Sequence, residues 1–147
     1  MNINLIYASL TGNTEALSDL MIEKFDEVGI HIEKHFIEDL EDFSVVEESD
    51  ALIVATYTYG DGELPEEMEE FFESLGDMDL SGKKFAVIGT GDTVYEEFCY
   101  SVDDFDEKLE KAGAERIADK LKIEIEADCD EDFENIDKFI SDFKNNL

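Results

Sequence analysis

Short apolar runs alternate with segments of helical period along the whole chain, and this alternation constrains the fold more than any other feature. Asp50–Thr56 and Lys83–Gly89 are nearly continuous apolar stretches, the pattern of central parallel strands covered on both faces. Asn2–Ala8 and Ile30–Phe36 also read as strands. Ile117–Ile125 reads as a fifth, with Leu121, Ile123 and Ile125 alternating against polar neighbours as an edge strand would. Leu17, Leu20, Met21, Phe25 and Val28 share one helical face, and Gly29 supplies a stop. Val102, Phe105, Leu109 and Ala112 repeat the pattern before Gly113, and Ile136, Phe139, Ile140 and Phe143 form the last stripe. The lone Pro65 suits the first turn of a shorter helix reaching about Ser74, while Ile37–Ser49 shows no readable pattern. The order β-α-β-β-α-β-α-β-α predicts a doubly wound α/β sheet, and 147 residues predict one domain over 1–147.

Charge narrows the function. Asp and Glu number 41 against 11 Lys and Arg, a formal net charge of −30. Such a surface repels phosphodiester backbones and anionic lipid, so no nucleic acid and no membrane are expected as partners. The longest apolar run, about Ala51–Ala55, is far short of the roughly 18 residues of a membrane span. Met1–Asn4 carries no basic region before an apolar segment, so a cytoplasmic protein is expected, and with it two free thiols at Cys99 and Cys129.

In a doubly wound sheet, ligands bind outside the carboxyl ends of the strands, which directs attention to the turns after the first, third and fourth apolar strands. The first, Ser9-Leu10-Thr11-Gly12-Asn13-Thr14, offers three hydroxyls, an amide and a glycine at a helix start, a set suited to a phosphate. Ordinary helix capping needs one such residue rather than four. The loop lacks GxxxxGK[ST] and GxGxxG, so a monophosphate held by neutral donors is what remains. The second turn, Thr56-Tyr57-Thr58-Tyr59-Gly60-Asp61-Gly62, and the third, Thr90-Gly91-Asp92-Thr93-Val94-Tyr95, each set aromatic rings beside small residues. Together they describe a phosphate anchor with two aromatic walls, a site for a planar phosphorylated ligand.

These residues closely resemble those of the flavodoxins, small FMN-carrying electron-transfer proteins. The first loop matches the family's [ST]-x-T-G-x-T phosphate signature, the second its aromatic-Gly-Asp flavin loop, and the third its G-D-x-x-Y-E-x-F-C stretch, with the likeness spanning the chain. The resemblance implies a three-layer α/β/α fold with a five-stranded parallel sheet in the order 2-1-3-4-5. The fifth strand, running straight from Arg116 to about Glu126, is similar to that of short-chain members.

By the same resemblance Ser9, Thr11, Asn13 and Thr14 would hold the FMN phosphate with the amides of Leu10 and Gly12. Tyr59, where some members carry Trp, would lie against the inner face of the ring and Tyr95 against the outer. Backbone from Thr90 through Gly91 to Asp92 would bond the pyrimidine edge. Thr56, Tyr57, Thr58, Gly60 and Asp61 complete the second loop, and the Gly60–Asp61 peptide would turn its carbonyl toward the protonated semiquinone. Phe98 and Cys99 would sit near the ring edge, with an inert buried role equally open for Cys99.

The implied function is low-potential one-electron transfer, cycling semiquinone and hydroquinone between redox enzymes with basic docking patches, by a monomer that is not itself an enzyme. Asp61, Glu63, Asp92, Glu96 and Glu97 would disfavour the hydroquinone anion; one charge at about 10 Å and effective dielectric near 40 is worth roughly 0.8 kcal/mol, about 35 mV. The acidity is also readable as solubility or adaptation to high salt. An FMN-dependent quinone reductase and a flavin-free interaction protein are the rival functions. A phospho-receiver would need acids where Ala8-Ser9 and Thr56-Tyr57 stand. Asp128–Asp132 departs from the EF-hand pattern and reads as the acidic start of the last helix, and His31 and His35 read as surface or packing residues.

Overall fold

A computed structural model describes residues 1–9, 12–58, 64–92 and 99–147. Strands β1 (Ile3–Tyr7), β2 (Glu33–Phe36), β3 (Ala51–Tyr57) and β4 (Lys84–Gly91) lie parallel in the order β2-β1-β3-β4. The fifth position, beside β4, is shared by two short pieces, β5 (Glu115–Arg116) and β6 (Leu121–Glu124). Helices α1 (Asn13–Glu27) and α5 (Asp130–Asn146) cover one face, and α3 (Glu69–Leu75) and α4 (Tyr100–Lys111) the other. The predicted strand order and the three layers are both present.

The apolar runs behave as two-faced strands must. Leu5, Ile53, Ala86 and Ile88 join Leu17, Met21, Phe25, Phe139 and Phe143 in one core; Ile6, Leu52, Val54, Phe85 and Val87 join Phe71, Val102, Phe105 and Leu109 in the other. Side chains of a strand alternate between faces, so each run feeds both cores. Both predicted glycine stops close Schellman motifs. Ile30 N–H donates to Phe25 O at 2.9 Å past Gly29, and Ala114 N–H to Leu109 O at 3.2 Å past Gly113.

The fifth strand departs from expectation. Phe85 pairs with Arg116 and Ile88 with Leu121, so three steps along β4 face five along the partner. The two surplus residues leave the ladder within Ile117–Lys120 and split the predicted Ile117–Ile125 strand. Nor does Ile125 continue the buried face: it is 47% exposed, with φ of 57°. Val28 likewise lies on the rim of its stripe at 37% exposure, because it caps α1. The second strand is shorter than predicted: Ile30 and Ile32 are buried but precede its ladder. The unread Ile37–Ser49 holds a 3-10 turn, Ile37–Asp39, and the short α2, Ser44–Glu48. Pro65 precedes a 3-10 turn, Glu66–Met68, that runs into α3. No helix among the described residues is long and apolar enough to cross a membrane.

Candidate functional site

The carboxyl ends of β1, β3 and β4 run out together, Ala8 N–H reaching Ala55 O at 3.1 Å and Tyr57 pairing with Thr90. After Ala8 the half-buried Ser9 accepts hydrogen bonds at its Oγ from Gly12 N–H (3.0 Å) and Glu15 N–H (3.4 Å). Capping of this kind engages the oxygen of Ser9. Gly12 takes φ of +91°, a conformation that would strain a side chain, and turns the backbone into α1. Asn13 is half-buried in the first turn and Thr14 is buried, its Oγ1 2.8 Å from Thr90 Oγ1. A neutral amide and hydroxyl set at the start of a fifteen-residue helix is chemistry suited to an anion. Leu10 and Thr11 lie outside the described residues.

The second loop leaves β3 under tight control. Thr56 is fully buried, beneath the open edge, and its backbone oxygen would stand 2.5 Å from a Cβ at Gly89, with Val102 Cγ2 at 2.4 Å. Only glycine allows β4 and α4 to approach β3 this closely. The Tyr57 phenol donates to Glu67 Oε1 at 2.6 Å, which turns this ring toward the α3 layer. Thr58 N–H donates to Thr90 O at 3.3 Å, and its hydroxyl meets Ser101 Oγ at 3.0 Å. Thr90 thus touches the first loop through its side chain and the second through its carbonyl. Tyr59, Gly60, Asp61 and Glu63 lie outside the described residues, as do Tyr95, Glu96, Glu97 and Phe98.

Where the third loop leaves β4, Gly91 and Asp92 are half-buried, and Gly91 O accepts from Ile125 N–H at 2.8 Å. Ile125 holds a left-handed φ that β-branched residues adopt only when their surroundings impose it, here directly after β6. Cys99, at φ 54°, begins α4 fully buried. Burial pushes its thiol up to about 12.

The cations near this edge are already engaged. Lys34, from β2, lies 2.6 Å from Asp19 and 3.9 Å from Glu15 on the first turns of α1, and the bond to Asp19 raises its pKa. Asp103 on α4 takes both Lys120 (2.9 Å) and Lys122 (2.8 Å). Partial burial would raise its carboxyl, but these two hydrogen bonds outweigh burial and hold it low. A cavity of about 500 Å³ between β6 and α5 is lined by Lys120, Lys122, Lys138 and Phe139, and none of its lining comes from the three loops. Asp128, Cys129 and Asp132 gather within 4.8 Å, all at the start of α5, where Asp128 N–H reaches Asp132 Oδ2 at 3.4 Å. His31 is a surface residue, and His35 Nε2 lies 2.9 Å from Asn4 Oδ1. Ser101, Glu67 and Lys34 escaped the sequence reading, because each acts on a partner on another element.

Comparison with known proteins agrees with this geometry. The Flavodoxin family model matches residues 5–138. "Probable flavodoxin 2" of Bacillus subtilis is 37% identical over 134 residues, covering 91% of this chain and 89% of that protein. The solved flavodoxin of Streptococcus pneumonia TIGR4 superposes with a TM-score of 0.93 at 40% identity, each chain covered completely. The chain also matches 23% of the length of the sulfite reductase [NADPH] flavoprotein alpha-component of Mannheimia succiniciproducens, 32% identical over 97% of its own length.

Proposed function

The chain belongs to the flavodoxin family, whose members are electron-transfer proteins rather than enzymes, and from that premise we propose that it carries single electrons at low potential on non-covalently bound FMN. The observation that carries this reading is the neutral donor set of Ser9, Asn13 and Thr14 at the start of α1, tied through Thr90 to the mouths of the other two loops. Those donors fit a monophosphate ester. The anion would face the positive end of the helix dipole with no Lys or Arg in the loop, so the phosphate is held by hydrogen bonds rather than by ion pairing.

The bound group would supply one-electron chemistry. The residues of this chain bind and orient it. Leu10, Thr11 and Gly12 complete the phosphate loop. Tyr59 and Tyr95 would wall the ring, with Gly60, Asp61 and Phe98 beside them, and backbone from Thr90 to Asp92 would meet its polar edge. Acids flanking these loops raise the energy of added negative charge on the ring, which lowers the potential.

The partners of this reading are redox enzymes that present basic patches, flavin or iron-sulfur reductases and their acceptors, met by a cytoplasmic monomer. A net charge of −30 supports fast, electrostatically steered encounters that slow as salt is added. The relation to a flavoprotein component of sulfite reductase supports this class of partner. The testing experiment is an absorption spectrum during stepwise anaerobic reduction of purified protein. Flavin bands that give way to a blue half-reduced species and then bleach are expected; a colourless protein that cannot be reconstituted with FMN defeats the reading.

A further inference from the structure

We propose that Ser101 is a positioning residue for the flavin, locking the stem of the second loop to the helix that follows the third. The proposal rests on the FMN reading above and adds a residue outside the three loops.

Ser101 is fully buried at the second position of α4, where a helix has backbone N–H groups without a helical acceptor. Cys99, at the cap position, makes no side-chain cap hydrogen bond. The cap comes instead from 43 residues upstream: Ser101 N–H donates to Thr58 Oγ1 at 3.1 Å. The two hydroxyls are 3.0 Å apart, and Ser101 Oγ lies 2.7 Å from Tyr57 O. One proton arrangement uses every group. Thr58 Oγ1 accepts from Ser101 N–H and donates to Ser101 Oγ, which in turn donates to Tyr57 O. Thr56 Oγ1, 3.3 Å from the same carbonyl, adds a second donor to it.

The closed cycle fixes the backbone at Tyr57 and Thr58, the last described residues before Tyr59. It also fixes the start of α4, just after Phe98. On the functional reading, the two loops that would flank the ring leave the fold next to these tied points. Preorganisation of this kind acts on affinity, since a loose stem must be ordered again whenever ligand binds. A purely structural cap would act on folding stability alone.

The test compares the parent protein with Ser101→Ala, Thr58→Val, the double variant and Thr58→Ser. Apoprotein is titrated with FMN, and the loaded protein is followed by spectroelectrochemistry. Ser101→Ala and Thr58→Val should each raise the FMN dissociation constant about fivefold, the factor one hydrogen bond is worth. The potential of the second electron should stay near the parent value, because the cost of ordering the stem falls alike on every redox form of the bound group. The double variant should lose more than either single but less than the two losses combined, because both singles break the bond between the hydroxyls, and Thr58→Ser should keep parent values. Singles that unfold more easily yet bind FMN as tightly as the parent would overturn the proposal, as would additive losses in the double variant. If Ser101→Ala does not fold, Thr58→Val alone carries the comparison. A parent that takes up no FMN overturns the functional reading and this inference with it, whereas failure in the variants alone removes only the inference.

Discussion

The hydroxyl oxygens of Thr14 and Thr90 lie 2.8 Å apart between two buried side chains that are 76 residues apart in the chain. One sits in the first turn of α1, where the first loop ends; the other is on β4, where the third loop begins. Each hydroxyl has one proton, so whichever donates leaves its partner's proton for another acceptor. The pair therefore joins two buried polar groups and leaves one hydroxyl proton beyond the bond between them.

Replacing Thr90 by Val removes one hydroxyl at constant shape and leaves Thr14 Oγ1 without this partner. Stability in a urea titration is expected to fall by about 1–2 kcal/mol, and FMN affinity to fall with it, while Thr90→Ser keeps both near parent values. Equal midpoints and slopes for Thr90→Val and parent would show that the contact contributes nothing.

Gly89 is required by packing rather than by backbone angle. A methyl there meets Val102 Cγ2 at 2.4 Å and Thr56 O at 2.5 Å. Gly89→Ala is expected to destabilise by about 1–3 kcal/mol, the usual range for overpacking. Adding Val102→Ala should restore less than half, because the Thr56 contact is backbone and cannot yield. Full recovery in thermal melts of the double variant would refute this account.

Much of this was legible in the sequence, for identifiable reasons. Continuous runs such as Leu52–Ala55 reveal a central strand because both faces are buried, and Phe139 and Phe143 reveal a helix because their spacing matches its turn. The first-loop donors were legible because they are contiguous. Contacts across elements were not: Thr14 with Thr90, Ser101 with Thr58 and Lys34 with Asp19 join segments that nothing local pairs. The split of the fifth strand appears only when its residues are counted against β4, and an isoleucine at φ 57° carries no local mark.

The two thiols differ in accessibility. Cys99 is buried with its pKa near 12, and Cys129 is exposed. At pH 8 the thiolate fraction of Cys99 is on the order of one in 10⁴ even before access is considered. A disulfide reagent should modify one thiol per native chain at pH 8 and two in guanidinium chloride. Two fast equivalents in the native protein would contradict the packing around the start of α4.

Neighbouring carboxylates on α4 should give stability opposite pH dependences. Asp104 is half-buried, and desolvation, then the charges of Asp103 and Glu107, raise its pKa. An acid with a raised folded pKa binds its proton more tightly when folded, so its charged form opposes folding above that pKa and is neutral in effect below the unfolded value of about 3.9. Asp103, held low by Lys122 and Lys120, supports folding above about 3.9 and loses that support as pH falls through its depressed pKa. Asp104→Asn should therefore raise the melting temperature by about 1–2 °C at pH 7, consistent with the half-kilocalorie scale of partly exposed sites, with the gain fading as pH approaches 4. Asp103→Asn should lower it at pH 7, leaving Lys120 and Lys122 without their shared carboxylate, and should matter least in acid. Melts of both variants at pH 7 and pH 4 decide the matter, and an Asp104→Asn gain that grows on acidification would reverse the assigned sign.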